Sequence, residues 1–87
     1  MSDAVWTYPD ELREALVSFG LAPRADTPPR FVREQLNDLY RFEIRKLRER
    51  LLAGEFAKVE YSGLVTELRK KYWPLKFTPE QWEKICS

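Results

Sequence analysis

The stretch NDLYRFEIRKLRERLLAGEF, residues 37–56, decides the fold of this 87-residue chain. Leu39, Tyr40, Ile44, Leu47 and Leu51 recur through it mostly at steps of three and four, the period of one helix face. Val32 and Leu36 extend the stripe backwards. A strand would alternate apolar and polar residues, and this segment does not. The reading is therefore a long helix over about 28–53. It is opened by Thr27, Pro28 and Pro29 and stopped at Gly54, a residue suited to the left-handed position after a last turn.

Three more helices follow from the flanks. TYPDE places Thr7 as a cap, Pro9 in the first turn, and Asp10 and Glu11 at the positive end of the helix dipole. Leu12, Ala15, Leu16 and Phe19 then carry a first helix over about 8–19, with Gly20 and Leu21 expected to close it in a Schellman ending. Tyr61, Leu64, Val65, Leu68 and Tyr72 give a helix over about 57–72, and Pro74 disfavours helical geometry at Trp73. Gly63 lies inside that helix, where a close helix crossing would account for it. Thr78, Pro79 and Gln81 announce a terminal helix over about 79–86, with a capping box and a Phe77–Trp82 staple. The short GEF connection favours an antiparallel hairpin of the second and third helices. The expected fold is a small all-α bundle of about four helices in one domain, a shorter helix at each end covering the hairpin. Tyr40, Phe56, Tyr61, Tyr72 and a tryptophan are its expected aromatic centre.

Composition narrows function by exclusion. The chain has no histidine, so it offers neither a two-cysteine, two-histidine zinc site nor a histidine general base. Cys86 is the only cysteine and has no internal disulfide partner. The three glycines are scattered, so no phosphate-cradling loop is present. No pair of carboxylates can be picked out for glycosidase-like chemistry. The first dozen residues show no cationic leader and no apolar run approaches a membrane span. The expectation is a non-enzymatic, cytoplasmic chain with no cofactor, no metal and no membrane.

Charge is distributed in blocks. The net charge is only +1, yet residues 30–53 carry +3, residues 69–76 carry +4, and the first 29 residues carry −3. Arg41, Arg45 and Arg48 fall on one side of the second helix, resembling a phosphate-contacting edge. Asp38 and Glu49 interrupt that stripe at pairing distance from Arg41 and Arg45, which favours a solvated, paired face. The run LRKKYWPLK sets Arg69, Lys70, Lys71 and Lys76 around Tyr72 and Trp73 with no acid among them. Glu43 lies inside the apolar stripe and requires a partner, either a cation or a tyrosine hydroxyl.

These observations lead first to a helical protein–protein interaction module or an accessory or assembly subunit. Its partner is another protein or a second copy of the chain, and its docking residues are Phe42, Arg45, Arg69, Lys70, Lys71 and Trp73. Phe42 matters most, because it points away from the main stripe. The alternative is a nucleic-acid-binding domain using Arg41, Arg45, Arg48, Lys70 and Lys71, which requires the two basic segments to share a face.

Overall fold

A computed structural model describes residues 5–87. Its elements run α1 (Asp10–Ser18), α2 (Pro29–Leu52), α3 (Lys58–Lys71), a 3₁₀ turn (Trp73–Lys76) and α4 (Pro79–Ile85), with no strand among the described residues. The all-α bundle expected from periodicity is present, with α2 packed against α3, α4 and the 3₁₀ turn.

Helix ends follow local chemistry. At the end of α1 the Leu21 N–H donates to the Leu16 carbonyl and the Gly20 N–H to that of Val17, each at 2.9 Å. This is the Schellman pair, made accessible by Gly20 at φ 81°. The end of α2 repeats it: Glu55 donates to Arg50, Gly54 donates to Leu51, and Gly54 sits at φ 77°. In α4 the Thr78 hydroxyl accepts from the Gln81 N–H at 3.2 Å while the Gln81 side chain accepts from the Thr78 N–H at 2.7 Å, the expected capping box.

The other two threonines expected as caps, Thr7 and Thr27, do different work. Pro9 and Pro28, not Thr7 and Thr27, occupy the N-cap positions of α1 and α2, and neither offers a side-chain acceptor. Thr27 instead accepts from the Arg24 N–H at 2.9 Å and closes the linker turn. The Thr7 N–H donates to the Cys86 carbonyl at 2.6 Å, joining the segment before α1 to the end of α4. Proline fixes φ and lacks an N–H, so Pro9 at α1 and the Pro28–Pro29 pair at α2 start their helices without help from a threonine side chain.

The core sits at one end of the molecule. Tyr8, Leu12, Leu16, Val32, Leu36, Tyr72, Trp82 and Cys86 are buried, and Pro29 and Pro74 with them. Trp82 donates its indole N–H to the Pro74 carbonyl at 2.9 Å, which ties the 3₁₀ turn to α4. Phe19 lies 4.4 Å from the Tyr72 ring and Tyr40 meets its edge at 5.3 Å. Arg30 bridges α2 to Glu80 and Glu83 of α4.

Two expectations about the interior are corrected. Phe56 and Tyr61 do not join the aromatic centre; they stack on each other at the hairpin tip, 6.4 Å apart, with Arg50 over the Phe56 ring. The true centre is Tyr72, Trp82 and Tyr8. Nor does Gly63 mark a helix crossing, since a Cβ built there meets nothing within 4 Å. Both errors come from assuming that α1 and α4 cover the whole hairpin. They are only nine and seven residues long. At about 1.5 Å per residue, neither reaches along an α2 of 24 residues.

Candidate functional site

Past Leu36 no residue of α2 is fully buried, and α3 buries none. Two antiparallel helices share a single seam, so each leaves part of its apolar stripe without a third neighbour. The register runs from Tyr72 beside Tyr40 to Arg50 beside Phe56. Along it Ile44, Leu47, Leu51, Tyr61, Val65 and Leu68 are only half-buried. Leu64 is 39% exposed, Phe42 52%, and Leu52 and Val59 each 79%. The molecule accordingly measures 52 × 20 × 20 Å, with a radius of gyration of 15.5 Å. A compact chain of this length would have about 12 Å. The hairpin forms an arm that projects beyond its own core.

Phe42 is not covered by α1 or α4; the Lys46 ammonium lies 5.3 Å from its ring centre. Arg41, Arg45 and Arg48 are exposed. Among the described residues they enter no ion pair, although Asp38 and Glu49 stand at suitable spacings. Pairs of this kind gain only about 0.2–0.5 kcal/mol, too little to hold two long side chains in one geometry.

The second basic run splits across two sides of the hairpin. Lys71 approaches Glu43 at 3.5 Å and lies over the Phe19 and Tyr72 rings, while Lys70 reaches Glu67 at 3.8 Å. Arg69, Trp73 and Lys76 turn the other way. With Arg33, Asn37 and Tyr40 of α2 they line a cleft of about 420 Å³ that also meets Tyr72 and Leu75. Among the described residues no carboxylate lines it. Arg33 is anchored there: its Nε donates to the Phe77 carbonyl at 2.8 Å and its Nη2 to that of Leu75 at 3.2 Å. Arg33 and Lys76 were each visible in the sequence as cations. What joins them is the 3₁₀ turn, which returns the chain towards α2 after Tyr72 and which the Trp-Pro signal announced only as a helix end.

Glu43 obtains both kinds of partner. It accepts from the Tyr72 hydroxyl and pairs with Lys71. Lys46 and Arg50, the cations nearest it in sequence on that side, go elsewhere: Lys46 over Phe42, Arg50 to Glu55 at 3.1 Å. Burial, and then the bond to Glu43, push the Tyr72 phenol above the ordinary tyrosine range. Burial alone raises the Cys86 thiol to about 11, so it is a core group and not an activated nucleophile.

Among the described residues no helix is long and apolar enough to cross a membrane, and no three acidic or cysteine side chains cluster to hold a metal ion. No protein-family model matches the chain, and no curated protein or solved structure matches it.

Proposed function

We propose that this chain is a non-enzymatic helical interaction module, an accessory or assembly subunit that docks another protein or a second copy of itself through the arm of the α2–α3 hairpin. One observation carries the reading: beyond Leu39 and Tyr40, which still pack against the core, the apolar stripe of α2 continues for about three more turns with only α3 beside it. Leu52, Val59 and Leu64 keep large apolar side chains in water, and Phe42 adds a ring on the outer side of α2. A partner helix or hairpin laid on the arm would turn a two-helix layer into a bundle.

The test is light scattering over a concentration series, with the native chain beside a Leu52→Glu, Val59→Glu double variant. Both positions are exposed, so the variant keeps its helical signal and melting temperature. The native chain gains mass with concentration and the variant stays monomeric. A native chain that is monomeric throughout and binds no apolar-surface dye sinks the reading.

Nucleic acid is the second reading, favoured by Arg41, Arg45 and Arg48, which enter no ion pair among the described residues. Lys71 adds less to it, since its ammonium already faces Glu43, whereas the exposed Lys70 pairs only loosely with Glu67. Retention on heparin that falls steeply with salt would support this reading, and absence of retention at low salt would end it.

A further inference from the structure

We propose that the cleft between α2 and the 3₁₀ turn is a nucleotide-binding site, with the phosphate held by Arg33, Arg69 and Lys76 and the base laid against Trp73 and Tyr40. This surface is separate from the hairpin arm and does not depend on the arm docking anything.

Three cations line the cleft, and among the described residues no carboxylate lines it with them. Arg69 and Lys76 enter no ion pair among the described residues. A carboxylate ligand would bring a single negative charge. A phosphate monoester brings about −1.5 to −2 near neutral pH, together with three acceptor oxygens. The phosphate therefore matches a three-cation set better than an acidic side chain does.

Arg33 is built for this task. The Leu75 and Phe77 carbonyls take two of its five N–H donors and hold the guanidinium half-buried at the cleft wall. Three donors remain, including a pair that can meet two phosphate oxygens at once. A guanidinium already fixed by the backbone loses little freedom when a ligand arrives.

The rest of the cleft suits a flat ring. Trp73 and Tyr40 are half-buried aromatics, and aromatic faces accept stacked bases of any sequence. The Asn37 amide supplies a donor and an acceptor for a base edge. A volume of about 420 Å³ is within the ordinary span of small-ligand pockets. Inorganic phosphate would leave the aromatic wall unused.

The experiment titrates the full chain with adenosine monophosphate and follows tryptophan emission. A Trp73→Phe variant separates the signal of Trp73 from those of Trp6 and Trp82. The expected result is saturable quenching that Trp73→Phe abolishes. Adenosine and inorganic phosphate, tested alone, each bind at least about ten-fold more weakly. An Arg69→Ala, Lys76→Ala double variant, at two exposed positions, weakens the nucleotide about ten-fold or more while leaving the melting temperature in place. A short oligothymidylate identifies the source. Binding no tighter than the mononucleotide assigns a free nucleotide, and much tighter, salt-sensitive binding assigns a strand running past Arg41 and Arg48. No quenching up to millimolar nucleotide, an unchanged affinity in the double variant, or tighter binding of a polyglutamate peptide overturns the proposal.

Discussion

The Tyr72 hydroxyl donates to the Glu43 carboxylate, and this bond lies where the buried end of the hairpin meets its exposed arm. On the core side, Tyr72 packs against Phe19 and Tyr40. On the other, Glu43 opens onto a shallow groove with Leu47, Leu64 and Lys71. Replacing Tyr72 by phenylalanine keeps the ring and removes the donor, leaving Glu43 half-buried with only Lys71 at 3.5 Å. A hydrogen bond to a charged acceptor is worth about 1.5–3 kcal/mol, and the partial exposure of Glu43 places Tyr72→Phe at the lower end. Glu43→Ala removes the acceptor, and the double change should cost less than the sum of the two single changes. Urea unfolding of the four-member cycle measures this, and strict additivity would show that the bond contributes nothing of its own.

Stability should fall along the hairpin from core to tip. Leu36 is fully buried in the core cluster that also holds Leu12, Leu16, Trp82 and Cys86, so Leu36→Ala should cost about 2–5 kcal/mol. Leu52 is mostly in water, and Leu52→Ala should stay within about 0.5 kcal/mol. Amide exchange offers an independent check. Protection around Leu36 should approach that of global unfolding, and amides near Leu51 and Val59 should exchange through smaller openings. A uniform pattern along α2 in the isolated chain would contradict an arm that projects from the core.

Gly63 separates the isolated chain from the docked one. It is helical, exposed, and has open space where a Cβ would stand. Glycine in a helix interior is about 1 kcal/mol less favourable than alanine. Gly63→Ala should therefore stabilise the monomer by about that amount in denaturant unfolding. If a partner helix packs closely on this side of α3, the same change should weaken association in light scattering while raising monomer stability.

The sequence carried the helices well because their determinants are local. Gly20 and Gly54 end α1 and α2 as Schellman motifs need, and Thr78 with Gln81 caps α4 with no tertiary help. What it did not carry was which stretch of each stripe gains a third neighbour. Leu36 and Leu47 share one periodic stripe, yet Leu36 is buried and Leu47 only half so. The difference lies in the lengths of α1 and α4, elements that do not touch the pattern being read. The cleft was hidden for a related reason. Arg33 and Lys76 are 43 positions apart, and the turn that joins them depends on Pro74 burying itself under Trp82. The partner of Glu43 was predictable as a type, a cation or a tyrosine hydroxyl, but the choice between nearby Lys46 and distant Lys71 belongs to the hairpin register.

Alkaline pH should destabilise this protein through groups buried in its core. Cys86 is fully buried, and burial raises its thiol from the ordinary 9.0 to about 11. A thiol that ionises less readily when folded adds stability that is complete below the unfolded value and is lost as pH rises towards and through the folded one. The window therefore opens near pH 9 and extends past pH 11. Tyr8 and Tyr72 act in the same direction, because burial raises both phenols above 10.0. For Tyr8 the neighbouring Cys86 adds to the shift, so the two groups resist ionising together. The melting temperature should hold steady from neutral pH to about pH 9 and then drop. Cys86→Ala removes the thiol's share: it costs some packing at neutral pH, yet the alkaline decline becomes shallower and begins later. The same burial predicts that thiol reagents label native Cys86 slowly at neutral pH, and rapidly once urea opens the core. Fast labelling of the folded chain, or an alkaline profile identical in Cys86→Ala, would place this thiol outside the core.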